Sequence, residues 1–219
     1  MDTFKQHEIF EIEVLDKMKS TKMLDALIFG GGTMLRLCHE LQRYSVDLNF
    51  WFIKNTPQKT YFNKLQKIFE KEYEITDAQI KHCTLLFEIR SAQYPKRLKI
   101  EIRKEIKMCD FQEIIAFSKY STKQVLLKAH TLEQMMKNKI EAFLDRSEIR
   151  DCFDIEFLLR RGIPLPELDG TLIDRLKKKI SHFKEREFKV KLGSTLESDM
   201  IDYYIVNKYS YLEEKLRSL

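Results

Sequence analysis

Hydrophobic positions along this chain change their spacing several times, and each change marks an element. Ile9, Phe10, Ile12, Val14, Leu15 and Met18 recur at near-helical intervals, so residues 5–19 read as an amphipathic helix. Leu24 to Phe29 is a short apolar run that ends in three glycines, the pattern of a buried strand entering a tight turn. Met34, Leu35, Leu37, Cys38 and Leu41 then predict a helix over residues 33–41. Residues 45–53, rich in aromatic and β-branched side chains, read as a strand, and residues 57–73 as a further helix. Strands are predicted over 80–90 and 98–103. The second alternates strictly, with Leu98, Ile100 and Ile102 on one face and Lys99, Glu101 and Arg103 on the other. After about residue 110 the spacing becomes helical, with helices predicted over 131–145, 149–161, 169–188 and 199–218 and a break at Gly162-Ile163-Pro164-Leu165-Pro166. The expected architecture is α+β: a mixed β-sheet core with helices over residues 1–115, followed by a helical domain over 116–219.

Composition narrows this picture. Hydrophobic residues are 43% of the 219, with only 6 glycines and 4 prolines, which excludes disordered and fibrous classes. The net charge of +5 permits an anionic partner but is also an ordinary solubility charge. Cys38, Cys83, Cys109 and Cys152 form no CxxC pair and read as free thiols in a reducing compartment. The charged N-terminus has no signal-peptide pattern and no uncharged apolar run approaches membrane-spanning length, so a cytoplasmic protein without a membrane partner is expected.

Two features carry candidate chemistry. Gly30-Gly31-Gly32 lies between a strand and a helix, where glycine permits positive φ and close backbone approach and where the helix N-terminus offers N–H donors to a phosphate. Thr33 adds a hydroxyl or caps the helix. A plain strand–helix turn is an equally good account of the glycines alone, and neither GxxxxGK[ST] nor GxGxxG is present. Just downstream, alternation puts Asp47 and Asn49 on one face of their strand, opposite Leu48 and Phe50. If the strand bearing Glu101 lies beside it, three oxygen donors meet, as a Mg²⁺ or Mn²⁺ site shared with substrate phosphates requires. The competing account is the solvated side of a half-exposed sheet.

The residues in sequence resemble a known family. Phe29-Gly30-Gly31-Gly32-Thr33-Met34-Leu35-Arg36-Leu37, then His39 and Arg43-Tyr44-Ser45-Val46-Asp47-Leu48-Asn49-Phe50, are similar to the GGTxL…RxSxDLDF signature of the AbiEii-type toxin nucleotidyltransferases, a branch of the polymerase-β-like superfamily. Lys139 followed by Arg146, Arg150, Asp151 and Asp154 resembles that family's later motif, a lysine followed by R…RDxxDL. The resemblance implies a nucleotidyltransferase-type sheet core, with Gly31, Gly32, Thr33 and Ser45 holding the triphosphate of an NTP. It implies Asp47, Asn49 and Glu101 as metal ligands, with Glu101 also orienting or deprotonating the attacking hydroxyl. Lys139, with Arg146 and Arg150, would neutralise phosphate charge, and Asp151 or Asp154 would help place the base, the lysine or the acceptor. Read from spacing alone, this second cluster is an ion-pair ladder on helix surfaces. One departure stands out: the family pattern is DxD or DxE, and Asn49 keeps an oxygen but loses a charge.

Two function classes follow. One is an enzyme moving an NMP from an NTP to an acceptor hydroxyl, by resemblance on tRNA or another RNA, within a toxin–antitoxin or phage-defence system that includes a cognate antitoxin. Arg175, Lys177, Lys178, Lys179, Lys184, Arg186, Lys189 and Lys191 suit an RNA acceptor, although an exposed helix face explains them equally well. The other is a catalytically degenerate nucleotide- or RNA-binding protein of the same fold, for which Asn49 is the support. A transferase acting on a small molecule is a third, weaker reading.

Overall fold

The computed structural model describes residues 2–218. The chain forms two compact units, one of Met1–Glu40 with Ser45–His130 and one of Leu41–Tyr44 with Thr131–Leu219.

The first unit is built on a seven-stranded mixed sheet in the order β3-β4-β5-β2-β1-β7-β6. Its elements run α1 (Thr3–Ser20), β1 (Leu27–Gly30), α2 (Gly31–His39), β2 (Asp47–Phe52), α3 (Gln58–Phe69), β3 (Glu74–Ile80), β4 (Thr84–Arg90), β5 (Leu98–Arg103), β6 (Phe111–Phe117) and β7 (Gln124–His130). Two of the pairings are parallel, β2 with β5 and β1 with β7. The strands follow the expected alternation: Leu48, Phe50 and Phe52 on β2, and Leu98, Ile100 and Ile102 on β5, are buried in the core. α1 lies against β5 and β7 and begins at Asp2, whose side chain accepts from the Phe4 N–H.

Helix α1 does more than bury an apolar stripe. His7, Glu8 and Glu11 are also buried, so part of its polar face turns inward. The sheet also runs beyond the residue at which the spacing turned helical. β6 and β7 form a hairpin in which Ile114, Ala116, Val125, Leu127 and Ala129 face one side, while Phe111, Ile115, Phe117 and Leu126 are exposed on the other. Apolar side chains on both faces erase the period-two signal.

The second unit is helical: α4 (Leu132–Arg146), α5 (Ile149–Arg160), α6 (Gly170–Ser181), α7 (Ser198–Asn207) and α8 (Ser210–Arg217), with a π-helical turn at Glu187–Leu192. Thr131 caps α4 by accepting from the Gln134 N–H, and Asp169 caps α6 from Leu172. The expected helix over 169–188 stops at Ser181, and the one over 199–218 is divided at Lys208, whose φ of 50° breaks helical geometry. Aromatic side chains of Phe143, Phe183, Phe188, Tyr204 and Tyr209 build its core, with Phe183 and Tyr209 ring centroids 6.1 Å apart.

Candidate functional site

Register brings the distant residues of the sheet unit together. β2 pairs with β5 so that Asp47 opposes Lys99, Asn49 opposes Glu101 and Trp51 opposes Arg103. Neighbouring strands lie about 4.8 Å apart, so these side chains share one half-exposed face. On the other side of β2, Asn49 opposes Gly30 of β1. The glycine turn, Asn49 and Glu101 therefore occupy consecutive strands at one level of the sheet.

Two of the glycines have a local reason. Gly31 opens α2 with φ +81°, and a Cβ there would lie 3.1 Å from Asn49 Nδ2. At Gly30 a Cβ would fall 2.6 Å from the Trp51 ring and 2.8 Å from the His130 ring. Because the residue capping α2 is Gly30, no side chain occupies the first N–H groups of that helix. Thr33 is fully buried, and its hydroxyl donates to the Asp47 carbonyl at 2.8 Å. That bond ties the start of α2 to β2 and leaves the Thr33 hydroxyl engaged. Ser45 is half-buried two residues before Asp47.

The carboxylates on this face are not isolated. Lys99 Nζ lies 2.9 Å from Glu101. Burial works against the Lys99 charge, but Glu101, Asp47 and Glu88 outweigh it and hold the ammonium above its ordinary range. Lys99 is thus the cation held where these acids converge. The Asn49 amide nitrogen donates to the Asp47 carbonyl at 3.3 Å, which leaves its amide oxygen for a ligand. Among the described residues no three His, Cys, Asp or Glu side chains gather as a metal cage. The donor set of Asp47, Glu101 and the Asn49 oxygen fits one hard cation that completes its shell with substrate phosphates.

Behind β2 is a second polar layer that sequence reasoning missed. His7 Nε2 donates to the Val46 carbonyl at 3.0 Å, so the imidazole carries its proton on Nε2, and burial, working against that bond, keeps the ring below its usual range. Glu8 accepts from Arg36 at 3.0 Å and from Ser118 at 2.7 Å. Burial, then the nearby Glu8 and Asp47, push Glu11 well above the usual carboxylate range, with Arg36 offsetting part. The only sequence signal was the glutamates' place within an otherwise amphipathic helix.

In the helical unit the later motif forms a buried charge network. Lys139 of α4 lies 3.0 Å from Asp151 and 2.6 Å from Asp154, both on α5. Asp151 also accepts from Arg146 Nε and Nη2 at 2.6 and 2.7 Å. Asp154 accepts the fork of Arg43 at 2.7 and 2.6 Å. Lys139, Arg43, Asp151 and Asp154 are all buried, so the surface-ladder reading does not apply. Burial by itself would raise the Asp151 carboxyl, but Arg146 and Lys139 more than reverse that and hold it below its ordinary value. Arg150 is exposed and outside the network. Arg43, which the motif quotes but whose role spacing could not reveal, lies in the Leu41–Tyr44 segment that belongs to this unit.

Solved structures share this fold, and nucleotidyltransferases are among them. The chain is similar to JHP933 from Helicobacter pylori (18% identity, TM-score 0.57, 96% of this chain and 94% of that one). It is similar to MenT4, a nucleotidyltransferase toxin from Mycobacterium tuberculosis (12%, 0.58, 97% and 83%). An antigenic nucleotidyltransferase-like protein from Paracoccidioides brasiliensis also superposes (15%, 0.52, 90% and 97%). No curated protein sequence matches. The profile of the family described as "Nucleotidyl transferase AbiEii toxin, Type IV TA system" matches residues 14–203, and the chain belongs to that family. Among the described residues no helix is long and apolar enough to cross a membrane.

Proposed function

We propose that this chain transfers an NMP from an NTP to a hydroxyl of an RNA acceptor, tRNA being the first candidate, as the toxin of a toxin–antitoxin or phage-defence pair. The observation that carries this reading is the register in which Asn49 opposes both Gly30 and Glu101. The start of α2 at Gly31, Gly32 and Thr33 receives the triphosphate, Gly31 being the one of the three that is part-exposed. Asp47, Glu101 and the Asn49 oxygen hold a divalent cation, Mg²⁺ or Mn²⁺, which when bound offsets phosphate charge. Glu101 accepts the proton of the acceptor hydroxyl; its oxygen bonds to the α-phosphorus as the bond to pyrophosphate breaks. Lys139, Arg146 and Arg150 carry the positive charge that the family motif associates with nucleotide binding. Asp151 and Asp154 fix Lys139 in place.

The test is incubation of the full chain with each of four α-labelled NTPs, Mg²⁺ or Mn²⁺, and total RNA. Label should appear on RNA and be lost in Asp47→Asn. No transfer with any NTP in either metal would overturn the enzyme reading.

A second reading, nucleotide or RNA binding without turnover, is favoured by Asn49 and by the ion pair between Lys99 and Glu101. Asn49→Asp separates the two. Transfer that appears only in that variant supports the degenerate reading, whereas transfer in the natural chain dismisses it.

A further inference from the structure

The helical unit contains a hollow of about 460 Å³ lined by Arg175, Lys178, Lys179, His182, Phe183 and Ser147, with Glu187 on its wall. The four basic side chains recur at i, i+3, i+4 and i+7, so α6 and the residue after it present them along a single face. Phe183 is buried and packs on Phe143, ring centroids 5.8 Å apart, which makes the floor apolar and fixed. Lys179 Nζ donates to the Ser147 hydroxyl, so this cation is already aimed at the hollow's edge. Ser147 itself sits at φ 55°, ending α4.

The wall's one carboxylate does not neutralise these cations. Glu187 accepts from the Lys184 N–H at 3.1 Å and pairs with Lys191 at 3.3 Å. Arg175 and Lys178 pair with no acidic side chain among the described residues. Lysines in the last turn of a helix also answer the helix dipole, which accounts for Lys178 and Lys179. It does not account for Arg175, one turn earlier, or for an open cavity beside them.

We infer that this hollow binds the phosphodiester backbone of the RNA acceptor, with Arg175 and Lys178 contacting phosphate and the Phe183 floor limiting how deep the strand sits. The inference rests on the proposal that the acceptor is RNA, but not on the transfer chemistry. A free phosphate or nucleotide presents the same chemistry, and the test distinguishes it.

Binding of a labelled transfer RNA to the full chain is followed by fluorescence anisotropy across a salt series. Arg175→Glu with Lys178→Glu should weaken binding about tenfold or more and flatten the log–log salt slope by about 1.5, as expected for two lost phosphate contacts. Lys64→Glu with Lys67→Glu on α3, the same charge change at exposed positions of the sheet unit, should weaken it less than about threefold. Both pairs are at exposed helix positions, and circular dichroism confirms that each variant folds. In the natural chain, RNA should protect Lys178 from acetylation. Equal weakening by the two pairs, or none by the first, would overturn the inference. So would protection of Lys178 by ATP and not by RNA. Loss of RNA binding in the α6 pair, in a chain that transfers nothing, sinks the transferase and leaves the hollow standing. Transfer that proceeds unchanged in that pair does the reverse.

Discussion

The two units use charge in opposite ways. On the sheet, Asp47, Glu101 and Glu88 share a half-exposed face with Lys99, and Glu88 also pairs with the exposed Arg97. In the helical unit, three cations, Arg43, Lys139 and Arg146, enclose two carboxylates, mostly out of contact with water. Charges on a half-exposed face keep much of their hydration, so removing one disturbs stability little. Buried charges rely on each other, so removing one strands the rest. Hence the sheet residues can be altered to test chemistry with little cost in stability, whereas the buried helical residues cannot be altered without disturbing the fold.

The largest effect should come from testing that contrast directly. Asp154→Ala leaves Arg43 and Lys139 buried without their shared acceptor, at a cost of about 3–5 kcal/mol. For a chain of this size that lowers the melting temperature by on the order of 10 °C. Asp47→Asn should change stability by less than about 1 kcal/mol while removing transfer. Calorimetry on both variants decides the matter; comparable losses would show that the sheet face is as interdependent as the helical network.

A smaller effect is expected at the turn. Gly31→Ala places a Cβ at φ +81° and 3.1 Å from Asn49 Nδ2, which should cost about 1–2 kcal/mol. Because that Cβ presses on Asn49, NTP affinity should fall as well. Urea unfolding followed through Trp51, the chain's one tryptophan and a neighbour of this turn, reads the stability. An unchanged midpoint would show that the turn relaxes freely and that neither the positive φ nor the contact with Asn49 requires glycine at this position.

How much of this was legible beforehand depends on whether polarity and burial coincide. Where they do, as on β2 and β5, alternation put Asp47 and Asn49 on one face and Lys99 and Glu101 on another, and pairing of the two strands joined those faces. Where they diverge, the pattern misled. β6 and β7 expose Phe111, Ile115 and Leu126, and the edge strand β3 buries none of its residues, so neither announces a period of two. His7, Glu8 and Glu11 are polar yet buried, and periodicity assigns polar positions to solvent. Arg43 pairs with a carboxylate 111 positions away, a contact that no local pattern encodes.

The subtlest effect is one of sign. Glu11 keeps its proton to a higher pH in the folded sheet unit than in the unfolded chain. Between those two values the folded state binds more protons, so stability falls as pH rises, by at most about 1.4 kcal/mol per pH unit for one proton. Asp151 behaves oppositely. Its carboxyl is held below its ordinary value, so the unfolded chain binds more protons there, and stability falls as pH drops through that lower window. Amide exchange of α1 should therefore quicken from mildly acidic toward neutral pH, and exchange of α5 toward strong acid, after correction for the intrinsic rate. Glu11→Gln should flatten the first trend and Asp151→Asn the second, whatever each does to absolute stability. Parallel trends in the two helices, or trends that survive both substitutions, would mean that these carboxyls do not set the difference between the units.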